Sequence, residues 1–211
     1  MNEERTIRRV AVALFEGFTV LDMYGPVQAF ASCRIPDSEG GFNRLFEIFT
    51  MADQARVVRS GEGPPSVAEY SFADAPSYDI LLIPGGFGTR EAVGNPQFLD
   101  QLATASQGAA TTATVCTGSA LLARTGLLDH RPATSNKLAW DWVLQQGPQV
   151  QWVRQARWVD DGDIITSSGV SAGIDMALSL IARLHGRDMA LTSARNMEYI
   201  WNDDAGNDPF A

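Results

Sequence analysis

The chain has 211 residues, of which 45% are hydrophobic and 19% charged, with a formal net charge of −9. That is enough chain for one large α/β domain, read here as a single domain over residues 1–211, with an ordinary globular balance. No apolar run approaches the roughly 20 residues that cross a bilayer, and an acidic chain without a dense Lys/Arg block is a poor ligand for nucleic acid, so neither a membrane nor a nucleic-acid partner is expected.

The first residues, Met1-Asn-Glu-Glu-Arg-Thr-Ile-Arg-Arg9, are charged and do not read as a signal peptide. Cys33 and Cys116 are the only cysteines and lie far apart, which suggests no disulfide framework and no metal-ligand spacing. The two histidines, His130 and His185, cannot build a multi-His metal site. No metal or other cofactor is expected, and the expected compartment is a reducing cytoplasm.

In chain order, residues 7–15 read as a buried first strand. Residues 19–34 then read as a helix, in which Pro26 suits an early turn better than the middle. A polar Pro/Gly loop is expected over 35–41, a second strand over 42–51, and a hairpin excursion around Gly61-Glu-Gly-Pro-Pro65. Residues 78–84 form a short, continuously apolar strand of the kind buried on both faces, ended by Gly85-Gly86-Phe87-Gly88. A helix over 95–107 precedes a β-branched strand at 111–115, and the helix after it, running to Arg124, is closed by Gly126. Further pieces are strands at 131–135, 150–153 and 158–159, a turn at Asp160-Asp-Gly162 before a strand at 164–167, and helices over 137–145, 171–185 and 188–201. Alternating strands and helices imply a mainly parallel sheet covered on both faces.

The richest segment is Thr111-Thr-Ala-Thr-Val-Cys116-Thr-Gly-Ser-Ala-Leu-Leu-Ala123. A strand ends abruptly in a thiol, and a small-residue turn and an apolar helix follow. A thiol on such a bend stands near free N–H groups, where a helix N-terminus favours thiolate, so Cys116 is a candidate nucleophile; a buried, inert cysteine is the plain alternative. Asp22 sits just beyond the first strand. If that strand and the Cys116 strand are both central, Asp22 can meet the thiol in one crevice and exchange protons there, or it is an ordinary first-turn carboxylate. Gly85 and Gly86 allow close backbone approach and, with the Thr117 N–H, are candidates to stabilise negative charge on a reacting atom. The Thr117 hydroxyl is a further candidate. Cys33 reads as structural or incidental, Asp175 as a helix-start carboxylate, and the five tryptophans as mostly core.

Asp22-Met-Tyr-Gly25-Pro26, Ile83-Pro84-Gly85-Gly86, Val115-Cys116-Thr117-Gly118 and Gly169-Val-Ser-Ala-Gly173-Ile-Asp175 occur in the order found in the ThiJ/PfpI superfamily. The chain resembles this superfamily over about residues 7 to 185, and within it the isonitrile hydratase branch most. It is also similar to the sensor half of AraC-type regulators, which continue into a helix-turn-helix module; this chain stops at Ala211, so that reading comes without its DNA-binding part. The resemblance implies a flavodoxin-like, class I glutamine amidotransferase-like fold and a cofactor-free hydro-lyase converting a small-molecule isocyanide to an N-substituted formamide. In it Cys116 would be the nucleophile and Asp22 the proton carrier, and the protein would be a homodimer. A non-catalytic sensing domain and a thiol-based stress or redox enzyme are the alternatives. Protease-like relatives place histidine directly after the cysteine. Here Thr117 stands there, which excludes an adjacent Cys–His pair. The chain departs from the hydratases at Ala133-Thr-Ser-Asn136-Lys137, where they often carry histidine at the position of Asn136.

Overall fold

The computed structural model describes residues 7–211. The first six residues, and with them most of the charged start that argues against a signal peptide, lie outside the described residues.

The chain opens with β1 (Arg8–Ala13), whose last four residues are buried, and α1 (Val20–Ser32). An antiparallel hairpin of β2 (Arg34–Pro36) and β3 (Phe42–Arg44) comes next, then β4 (Phe46–Ala52). The loop expected over 35–41 is therefore a hairpin, and the strand expected over 42–51 is two. Phe42–Arg44 is exposed and pairs locally, whereas Phe46 is buried and begins the run alongside β1. A second hairpin, β5 (Val57–Arg59) with β6 (Pro65–Val67), stands where its turn residues place it, and β7 (Tyr70–Ser71) pairs with the end of β4.

The chain continues through β8 (Ile80–Ile83), α2 (Thr89–Ala92), α3 (Pro96–Gln107), β9 (Thr111–Thr114) and α4 (Gly118–Arg124). Asn95 caps α3 by accepting the Phe98 N–H, and Pro96 fills its first turn, where no amide hydrogen is needed. Then come β10 (Pro132–Ala133), α5 (Trp140–Gln146), β11 (Gln151–Trp152), β12 (Trp158–Asp160), β13 (Ile164–Ser167), α6 (Ala172–His185) and α7 (Arg187–Asn196). The short β10 pairs only with β11 and stays outside the main sheet. The last helix ends at Asn196, short of Trp201, because residues 199–202 turn aside to bond Asp175.

The main sheet has seven strands in the order β12-β13-β9-β8-β1-β4-β7. Every pairing is parallel except β12 with β13. The four residues of β8 are all buried, as a strand covered on both faces requires. From β1 the chain passes first to β4 on one side and later to β8 on the other. The gap between β1 and β8 is thus the point where strand order reverses, the usual place for a ligand crevice in an open parallel sheet.

Pro26 lies inside α1, not in its first turn. It deprives the Asp22 carbonyl, four residues earlier, of its helical partner. The compensation is close packing on α6. A Cβ on Gly25 would lie 2.8 Å from Ile174, and one on Gly173 would lie 3.2 Å from Pro26. The Gly25-Pro26 and Gly173-Ile174 pairs are therefore two halves of one tight helix crossing.

Candidate functional site

Four neighbouring strands, β13, β9, β8 and β1, release their chains at the same edge of the sheet. The segments that follow them carry Gly169, Cys116, Gly85-Gly86 and Asp22. Residues far apart in the chain meet there because β8 lies between β1 and β9 with Leu82 aligned to both Val12 and Ala113.

Cys116 has φ of 57°, a left-handed conformation uncommon for a side chain other than Asn, Asp or Gly. Its surroundings over-determine that geometry. Its N–H donates to the carbonyls of Ser167 and Ser168 at 3.2 and 3.3 Å. Its own carbonyl accepts the hydroxyls of Ser135 at 2.8 Å and Ser119 at 3.1 Å. Cys116 is 6% exposed, with the Thr117 N–H and hydroxyl as neighbours of its sulfur, and the hydroxyl donates to the Gly86 carbonyl at 3.3 Å.

Asp22 is fully buried in the first turn of α1. Its carboxylate does not cap its own helix. Oδ2 accepts the Gly85 N–H at 3.0 Å, the Cys116 thiol is a hydrogen-bonding neighbour, and Oδ1 has no hydrogen-bond partner among the described residues. Burial pushes the Asp22 carboxyl up to about 7; the Gly85 N–H and the thiol oppose this and the Glu62 carboxylate adds to it. Burial also pushes the Cys116 thiol well above its ordinary value, and the adjacent Asp22 carboxylate pushes it further. The expected enrichment in thiolate is therefore overturned. Loss of water around the sulfur outweighs the N–H groups of the short α4, so the resting group is a thiol beside a carboxyl that titrates near neutrality.

The glycines give the close backbone approach expected of them, but not open N–H groups. The Gly85 N–H is occupied by Asp22, and the Gly86 N–H donates to Thr117 Oγ1 at 3.0 Å, so neither is an open anion donor in this conformation. Their lack of a side chain is nonetheless required. A Cβ on Gly85 would lie 2.5 Å from the Thr117 nitrogen and 2.9 Å from Asp22 Oδ2, and Gly86 has φ of 132°. Thr89 donates to Thr117 Oγ1 at 3.2 Å and to the Gly86 carbonyl at 2.7 Å, which locks the threonine hydroxyl in the same cluster.

Three residues at the site escaped the sequence reading of local pattern. Glu62, in the β5–β6 turn, accepts the Val20 N–H at 2.9 Å and so serves the N-terminus of α1 from another element. Gly169 lies against the thiol, since its Cβ would fall 2.9 Å from Cys116 Sγ and 2.2 Å from Asn136 Nδ2. Lys137 is buried under the same segment, donating to Thr134 Oγ1 at 2.8 Å, to the Ser135 carbonyl at 3.1 Å and to the Ala156 carbonyl at 2.8 Å. A carboxylate between glycines, a Gly two residues past the end of a strand and a lysine in an otherwise uncharged segment were the available signals.

The other candidates stand elsewhere. Cys33 is buried at the end of α1. His130 bonds Gln149 and Gln151, and His185 stacks edge-on to Phe46 with ring centroids 5.2 Å apart. Asp175 is more than a helix-start carboxylate. It forms a buried ion pair with Arg157 at 2.5 Å and accepts the Tyr199 hydroxyl and the Asn202 N–H. Trp140 and Trp152 pack edge to face, and Trp142 lies under the Arg90 guanidinium. A cavity of about 630 Å³ lined by Phe15, Glu16, Arg56, Glu91 and Phe98 contains none of the site residues. Among the described residues no group of three or more His, Cys, Asp or Glu side chains could hold a metal ion, and no helix is long and apolar enough to cross a membrane.

Comparison with known proteins places this geometry. Residues 8–183 match the model of the DJ-1/PfpI family. The chain is 30% identical over 191 residues to the isonitrile hydratase of Pseudomonas putida, covering 90% of this chain and 78% of that protein. It is 28% identical over 188 residues to the HTH-type transcriptional regulator GbdR of Pseudomonas aeruginosa, covering 89% of this chain but only 50% of the regulator. Among solved structures, a ThiJ/PfpI family protein from Pseudomonas syringae superposes with a TM-score of 0.80 at 30% identity, over 94% of this chain and 78% of that one. DJ-1beta of Drosophila melanogaster shares the fold, with a TM-score of 0.76 at 18% identity over 93% of this chain and 100% of that one. The family includes enzymes as well as regulators, and the chain described here belongs to the DJ-1/PfpI family.

Proposed function

We propose that the protein hydrates isocyanides to N-substituted formamides, with Cys116 as nucleophile and Asp22 as proton carrier. The observation that carries this reading is the Asp22 carboxyl, buried beside the Cys116 thiol, held by the Gly85 N–H and titrating at about 7. A group with that value gives and takes a proton with little bias at neutral pH. Asp22 removes the thiol proton as sulfur bonds to the terminal carbon of R–NC, then delivers that proton to the same carbon, giving an S-bound thioimidate. Water adds to this carbon, its proton passing through Asp22 to nitrogen. The C–S bond breaks, the thiol regains its proton, and R–NH–CHO leaves. No redox partner or metal takes part in this sequence. The similarity to isonitrile hydratase supports the reading.

Incubation of the protein with a simple isocyanide, following isocyanide loss and formamide appearance, tests it. Turnover by the parent protein is expected, with none by Cys116→Ala and a loss of about 10²-fold or more in Asp22→Asn. Folded protein inert toward several isocyanides overturns it. A second reading, a ligand-sensing domain, is favoured by the match to about half of a regulator. It expects saturable small-molecule binding without turnover and tolerance of Cys116→Ser. A thiol redox role is disfavoured by the buried sulfur and its suppressed ionisation, since easily oxidised thiols are exposed and thiolate-rich.

A further inference from the structure

The Asn136 side chain stands at the rim of the thiol site. Its Oδ1 accepts the Ala139 N–H at 2.8 Å, which fixes the amide orientation and turns Nδ2 the other way. Nδ2 and the Cys116 sulfur both pack on the Gly169 backbone and are close neighbours: a Cβ at Gly169 would lie 2.2 Å from the nitrogen and 2.9 Å from the sulfur. Among the described residues Nδ2 has no hydrogen-bond partner. Asn136, Gly169 and Val170 are partly exposed while Ser135 and Ser168 on either side are buried, so the amide stands between the buried thiol and the surface. The segment is held firmly, by Lys137 underneath and by the Ser135 hydroxyl on the Cys116 carbonyl.

An isocyano group bonded to sulfur has no oxygen of its own to offer this donor, and a hydrocarbon beside it would leave the N–H groups unpaired. A site with a fixed donor discriminates against substrates lacking the matching acceptor. We propose that Asn136 sets substrate specificity, its Nδ2 donating to a hydrogen-bond acceptor, such as an ester carbonyl, carried close to the isocyano group. The inference rests on the hydratase reading for its substrate, but the donor subsite is separable from it.

The test compares ethyl isocyanoacetate with n-butyl isocyanide in the parent protein and in Asn136→Asp. The aspartate keeps the acceptor for Ala139 and loses the donor. The readout is the ratio of kcat/KM for the two substrates, which cancels any change in thiol reactivity. The ratio is expected to fall by about tenfold in the variant, the worth of one neutral hydrogen bond. An unchanged ratio overturns the proposal. Calorimetric binding of the two corresponding formamides, N-formylglycine ethyl ester and N-butylformamide, reads the same preference without turnover. If neither isocyanide is converted but the parent protein prefers the ester formamide and Asn136→Asp does not, the hydratase reading fails and the subsite stands. Equal binding of both formamides by both proteins, or binding of neither, overturns the subsite as well.

Discussion

Two aspartates in this molecule are fully buried near the first turn of a helix, Asp22 in α1 and Asp175 in α6, and they have opposite surroundings. Asp175 faces a guanidinium. Arg157 meets it through two nitrogens, at 2.7 and 2.5 Å, and the Tyr199 hydroxyl and Asn202 N–H occupy the other oxygen. Burial holds its carboxyl above the ordinary value, and Arg157, Asn202 and Tyr199 oppose that rise. Asp22 has no cation. Its partners are one N–H and one thiol, one oxygen is unpartnered, and the nearby Glu62 carboxylate works against its ionisation. The lesson is that burial alone does not make a carboxylate reactive. A buried carboxylate with a cation and both oxygens satisfied is a structural pin. One with neither holds a proton it can give away.

Arg157→Leu leaves Asp175 buried without its cation, and also removes a charge 4.0 Å from buried Asp208. Urea unfolding should show a loss of about 3–5 kcal/mol, the usual cost of stripping one partner from a buried pair. A change below about 1 kcal/mol would mean that Asp175 is not pinned by charge.

From the Asp22 side the sign is reversed. Below pH about 3.8 the carboxyl is protonated in both folded and unfolded chains. Between that value and about 7 the folded protein keeps a proton that the unfolded chain releases, so stability falls as pH rises, and the loss is complete above about 7. The full loss is about 4 kcal/mol. Asp22→Asn, which keeps an acceptor for Gly85, should therefore be more stable than the parent at pH 8 by about 2–4 kcal/mol, with the difference vanishing toward pH 4. Stability curves of the two proteins across that range check this, and a pH-independent difference would refute it. The same variant should lose the ionisation near pH 7 from the pH–rate profile of isocyanide hydration.

The smallest effect sharpens the picture of Asp175. Tyr199→Phe removes one of several bonds to a carboxylate already paired with Arg157, and about 1 kcal/mol is expected by urea unfolding. A much larger loss would show that the tyrosine, with Trp201 and Asn202, anchors the segment after α7 cooperatively.

Much of the fold was legible in the residues. The apolar run at β8, the β-branched run at β9 and the Asp160–Gly162 turn each state their local geometry through side-chain period and turn chemistry. The hairpin of β2 and β3 was not legible, because an exposed Pro-flanked pair of three-residue strands has no alternation to read. Pro26 was misplaced because its cost is offset across space by α6. At the site, Cys116, Thr117 and the two glycines could be picked out by the break from strand to helix, but what they do there could not. Whether Gly85 and Gly86 offer free N–H groups depends on Asp22 and Thr117 having already taken them.

By itself the sequence determined most of the strands and helices, and that a thiol stands on a bend between two of them, since these depend on residues within a few positions of one another. Only the tertiary structure decided that the thiol rests protonated, that Asp22 titrates near 7, and that Asn136 and the sulfur pack on the same glycine. Those properties depend on which groups exclude water and supply partners, and such groups come from distant parts of the chain; the N–H that holds Asp22 is 63 residues away.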